Sequence, residues 1–104
     1  MYKLPKEYKE KWIEGLKKGY EQSCHMLHNS DNGGYCAIGV ALVHCSNIHP
    51  HEIRDVPNLN ELLMDKYKVP IKSDLCDMIM ELNDNDQREF HEIAEWIESN
   101  VEEY

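Results

Sequence analysis

The residues here with the chemistry to bind a metal or carry a nucleophile are six histidines and four cysteines, most of them between positions 24 and 51. Cys24, His25 and His28 form one cluster, and His44, Cys45, His49 and His51 form another. Imidazole and thiolate are the usual zinc ligands, and Cys24 and His28 would share one face of a helix. The spacing does not support a structural zinc site. No CxxC or HxxxH pair occurs, and the histidines flank prolines and turns, where solvated polar residues are expected. No metal site is therefore expected.

A nucleophile at Cys36 is the second possibility, since a helix N-terminus there would favour the thiolate and His44 or His25 would have to serve as base. Cys36 lies in the most apolar segment of the chain, however, and a buried cysteine behaves as a small hydrophobe. Paired carboxylates at Asp84 and Asp86 fall in a turn between two predicted helices. Capping explains them, because Asp84 with Gln87, or Asp86 with Glu89, has the spacing of a capping box. Gly33-Gly34 lacks the Lys-Ser/Thr of a phosphate loop and the spaced glycines of a dinucleotide fold. The chain is expected to be no enzyme and to carry no cofactor.

The elements that must position these residues are read from periodicity. Pro5 near a helix start, then Tyr8, Trp12, Ile13, Leu16 and Tyr20 at three- and four-residue steps, predict a first helix ending near Gly19. Residues 21–34 are polar and glycine-rich, which predicts a short irregular or extended connection. The apolar run 35–45 is taken as a buried central helix rather than a strand, because Ala37, Gly39 and Ala41 are poor strand residues that allow close helix packing. Residues 46–58, with two prolines, form a long connection. Asn58 with Glu61 resembles a capping box for a short helix carrying Leu59, Leu62, Leu63 and Tyr67, stopped by Pro70. Ser73 is expected to cap a further helix with Leu75, Met78, Ile79 and Leu82 on one face, and Asn83–Asp86 interrupts it. Phe90, Ile93, Ala94, Ile97 and Val101 then mark a final helix whose opposite face bears Glu92, Glu95, Glu98 and Glu102. Met64, Met78 and Met80 read as core filler. The fold class is mainly α: one compact domain over residues 1–104, with four to five helices around the 35–45 helix.

Charge narrows the partners. The formal net charge is −9, and it is unevenly spread: residues 74–104 hold eleven acids and one arginine, whereas residues 1–20 hold six lysines and three glutamates. An acidic C-terminal third repels phosphate backbones, so direct nucleic-acid binding is not expected, and a basic protein surface is the better partner for Glu92, Glu95, Glu98 and Glu102. The N-terminus is charged and reaches no apolar signal region, and the apolar run is far short of a membrane span of roughly 20 residues. A cytoplasmic protein with reduced thiols and no membrane contact is expected.

Three blocks occur in order: Trp12…Leu16-Lys17-Lys18-Gly19-Tyr20-Glu21-Gln22; Gly34-Tyr35-Cys36-Ala37-Ile38-Gly39-Val40; and Glu81-Leu82-Asn83-Asp84 leading to Phe90-His91-Glu92-Ile93-Ala94-Glu95-Trp96-Ile97-Glu98. Together they resemble a family of small, mostly uncharacterised bacteriophage and prophage proteins with "YCCLGV" and "LND…sF..IA..IE" segments. Ala37 stands where that family usually has a second Cys, which weakens any metal role for a Cys-Cys pair, and Glu89 stands where a small hydroxyl usually precedes the Phe. The resemblance implies no established activity. It marks Tyr20, Gln22, Tyr35, Cys36, Asn83 and Asp84 as positions of interest. Two expectations follow: a non-enzymatic phage-type protein that antagonises a host (defence) factor by binding it, in the host-cell cytoplasm; or, alternatively, a binder of a small nucleotide-like ligand at Tyr20, Gln22, Tyr35, Asn83 and Asp84. Gln22 and Asn83 also have a purely structural reading, as amides that hydrogen-bond a buried loop.

Overall fold

The computed structural model describes residues 2–57 and 61–104. Its order is β1 (Tyr2–Leu4), α1 (Lys6–Leu16), α2 (Ala37–His44), a 3-10 turn (Pro50–Ile53), α3 (Glu61–Lys66), α4 (Ser73–Met80), a π-helical turn (Glu81–Asn85), α5 (Phe90–Asn100) and β2 (Val101–Glu103). The fold is mainly α, as periodicity predicts. The helix read over 35–45 is observed at Ala37–His44, and Cys36 precedes it in an extended conformation, its sulfur accepting a hydrogen bond from the Gly39 N–H at 3.3 Å. Every residue from Ala37 to Leu42 is buried, which is what a helix apolar on all sides requires.

Helix α1 packs on both α2 and α5. Trp12 is wholly buried, and its indole N–H donates to the Ala37 carbonyl at 3.0 Å, so its one polar atom is satisfied inside the core. The helix stops at Leu16, three residues before Gly19, and Lys17–Gly19 form a turn that carries Tyr20 out of α1. Met64, Met78 and Met80 are partly buried against the core. Among the described residues no helix is long and apolar enough to cross a membrane.

Several termini differ from the sequence reading, each for a local reason. Lys72, not Ser73, occupies the cap position of α4, and the Asp74 carboxylate accepts the Leu75 N–H instead. The cap of α5 is Glu89, which forms a reciprocal capping box with Glu92, and neither Asp84 nor Asp86 serves as its cap; the Asp84 carboxylate accepts from the His25 N–H and the Asn83 amide instead. Asn58 and Leu59, on which the capping reading for α3 rests, lie outside the described residues. Leu62, one of the apolar residues read on α3, is exposed.

The C-terminal end holds the largest departure. Val101 and Glu102, read as helical, belong to β2, which pairs in parallel with β1 in the register Tyr2↔Val101, Lys3↔Glu102 and Leu4↔Glu103. The switch has two causes. β1 supplies a backbone hydrogen-bonding partner that a further helical turn would forgo, and the buried Lys9 ammonium donates to the Val101 carbonyl at 2.6 Å. A cation at that point also complements the negative end of the α5 dipole.

Candidate functional site

The five candidate ligand residues fall into two adjoining groups. Gln22, Asn83 and Asp84 meet in the first. Residues 21–28 cross over the π-helical turn, and Asn83 projects from that turn into the core with almost no exposure. Its Oδ1 accepts from the Gln22 side-chain amide at 3.0 Å and from the Ala37 N–H at 3.2 Å. Its Nδ2 donates to the Ser23 carbonyl and to Asp84 Oδ1, both at 2.9 Å. Gln22 continues the chain, donating to the Arg88 carbonyl at 2.6 Å and accepting from the Phe90 N–H at 3.1 Å. Asp84 Oδ1 also accepts the His25 N–H at 3.1 Å and holds His25 in the left-handed region at φ 69°.

The network satisfies an amide at the start of α2 and another at the start of α5, groups that helix geometry leaves without internal partners. It ties the 21–28 segment to both helices. Among the described residues no buried side-chain nitrogen or oxygen lacks a hydrogen-bond partner. The amides of Gln22 and Asn83 are thus engaged by backbone and by each other, in the arrangement their structural reading anticipates. Asn83 and Asp84, neighbours on the π-helical turn, both bond to the 21–28 segment.

Tyr20 and Tyr35 form the second group with two histidines. Their rings pack edge to face with centroids 5.4 Å apart, and His28 stacks on Tyr35 at 4.2 Å. Tyr35 bridges to both Gln22 and His28, so the backbone connects the two groups. Burial, with a contribution from nearby Tyr20, pushes the Tyr35 phenol above its ordinary pKa. The Tyr20 hydroxyl lies 3.2 Å from His44 Nδ1, and His44 Nε2 lies 3.0 Å from Glu14 Oε1. Lys18, Gly19 and Tyr20 line an open depression of about 290 Å3. Glu14, His28 and His44 escape a reading by family blocks or periodicity. The available signal is Gly15, a helix-interior glycine, which marks a close approach.

The cysteines and histidines of the sequence clusters are dispersed. Cys24 donates to the Asn83 carbonyl, Cys45 to the Tyr8 carbonyl, and the His49 and His51 rings sit 6.4 Å apart on the 3-10 turn. Cys36 is buried at the opposite end of α2 from His44. Burial pushes its thiol up to about 12, so at neutral pH it is a packed thiol and no nucleophile. Among the described residues, Glu89, His91 and Glu92 bring possible ligand atoms within 4.8 Å of one another, but on the surface at the positive end of the α5 dipole, where a cation is disfavoured.

The acidic residues are placed outward. Glu95 and Glu98 are exposed on α5, Glu102 on β2, and Glu92 is half-buried in the first turn of α5. Glu92 faces Arg88 at 3.4 Å and Glu98 faces Lys17 at 3.3 Å; both are solvent-exposed pairs of small energetic worth. The chain matches no protein-family model, no curated protein and no solved structure.

Proposed function

We propose that this protein is a non-enzymatic, phage-type accessory protein that antagonises a host factor, a component of defence, by binding that factor's basic surface. One observation carries the reading. Glu95 and Glu98 on α5 and Glu102 on β2 are exposed, with Glu92 half-buried, while Phe90, Ile93, Ala94 and Ile97 fill the core side of α5. A predominantly acidic surface steers a complementary partner and raises its association rate. The triple reversal Glu95→Lys, Glu98→Lys and Glu102→Lys is expected to weaken salt-sensitive capture of a host-lysate protein about tenfold or more. Stability should change by no more than roughly 0.5 kcal/mol per position, or about 1.5 kcal/mol for the three together, since all are exposed. Capture that is indifferent to both salt and charge reversal would remove this reading.

A second reading, a nucleotide-like ligand held at Tyr20 and Tyr35, is favoured by the partly exposed ring pair beside Lys18. A rise in melting temperature with added nucleotide, lost in Tyr35→Ala, supports it by mass action; an unchanged melting temperature across mono- and dinucleotides counts against it.

A further inference from the structure

Three residues from different parts of the chain form a hydrogen-bonded line: the Glu14 carboxylate, the His44 imidazole and the Tyr20 phenol, with contacts of 3.0 and 3.2 Å. Their chemistry gives the line a direction. A carboxylate can only accept, so His44 Nε2 carries the proton that faces Glu14. In the neutral ring Nδ1 then has the free lone pair, and the Tyr20 O–H donates to it. The arrangement is that of a hydroxyl whose proton has a positioned acceptor, the acceptor itself being oriented by an acid.

The surroundings hold this geometry in place. His44 ends α2 and its side chain is only 12% exposed. A Cβ on Gly15 would sit 2.9 Å from the His44 Cγ and Cδ2, so the ring lies against α1 only because position 15 has no side chain. The Tyr20 ring is fixed edge-on against both Tyr35 and His44. Tyr20 nonetheless lines the open depression together with Lys18, a residue whose charge suits a donor with an anionic leaving group.

We propose that Tyr20 is an acyl-acceptor site, modified by activated carboxylic esters with His44 as general base. In the step, an electron pair of the phenol oxygen forms a bond to the ester carbonyl carbon. The bond to the leaving group breaks, and that group departs with the bonding pair as its anion. The phenol proton passes to His44 Nδ1, leaving an imidazolium opposite the Glu14 carboxylate.

The probe is p-nitrophenyl acetate at neutral pH, with acetylation of each tyrosine followed by peptide mass spectrometry. Tyr20 should acetylate about tenfold or more faster than Tyr104, although Tyr104 is highly exposed. His44→Gln, and separately Glu14→Gln, should lower the Tyr20 rate and leave the Tyr104 rate unchanged. Glu14 is exposed, so its variant tests the relay even where His44→Gln disturbs α2. A Tyr20 rate no greater than that of Tyr104, or a rate unaffected by Glu14→Gln in the folded protein, overturns the proposal.

Discussion

Gly39→Ala is expected to destabilise the protein by about 4 kcal/mol or more, beyond the usual range for overpacking. The new Cβ would overlap the Leu27 carbonyl oxygen and come within 2.8 Å of the Leu27 carbonyl carbon. These are backbone atoms, so no rotamer change relieves the contact. Leu27 is itself buried and its N–H is bound to the Val56 carbonyl at 2.8 Å, which leaves the 24–28 segment little room to retreat. Alanine is the better helix former by about 1 kcal/mol, a gain too small to offset the clash. Against a total stability of about 5–15 kcal/mol, the variant should show a large fall in urea midpoint or fail to fold. A midpoint within experimental error of the parent would mean that the 24–28 segment does not lie on α2 as described.

Asn83→Leu should cost about 3–5 kcal/mol, because two buried backbone groups lose their only described side-chain partner. The Ala37 N–H and the Ser23 carbonyl both bond to the Asn83 amide, and leucine of similar size offers neither a donor nor an acceptor. Gln22 also loses one of its three contacts, which weakens its hold on the Arg88 carbonyl and the Phe90 N–H. The expected signature is local as well as global. Amide hydrogen exchange should accelerate at Ala37 and along residues 22–28 before it does in α1 or α5, since local opening follows the loss of local bonds. Full parental stability for this variant would show that the network contributes nothing to holding the loop, and would return Asn83 to the list of residues available to a ligand.

The two substitutions bear differently on what could be read in advance. Gly39 sits in the apolar run, where its small size already pointed to a helix approached closely by a neighbour. Its partner, the Leu27 backbone, lies in a polar segment that no periodicity describes. Asn83 belongs to a block marked by family resemblance, and the possibility that it hydrogen-bonds a buried loop was legible from the cost of burying an amide. That its partners would be Ser23, Ala37 and Gln22 was not, because these contacts span 46 to 61 residues of sequence.

What the sequence by itself determined is the set of α-helices and, for α1, α2, α4 and α5, the residues that enter the core. Periods of three and four residues are local, and burial of the resulting stripes is the dominant favourable term in folding. The tertiary structure alone decided where polar groups end up. Val101 leaves the helix because β1, nearly a hundred residues away, offers it a partner strand. Asn83 and Asp84 turn inward because a π-helical turn meets a crossing segment. His44, one of two histidines that a nucleophilic Cys36 would have needed as base, instead joins Tyr20 and Glu14, because α2 separates it from Cys36 and Gly15 opens a place for its ring. Hydrogen bonds are directional and short, so each depends on placing two distant pieces of chain within about 3 Å, which no local pattern of residue types encodes.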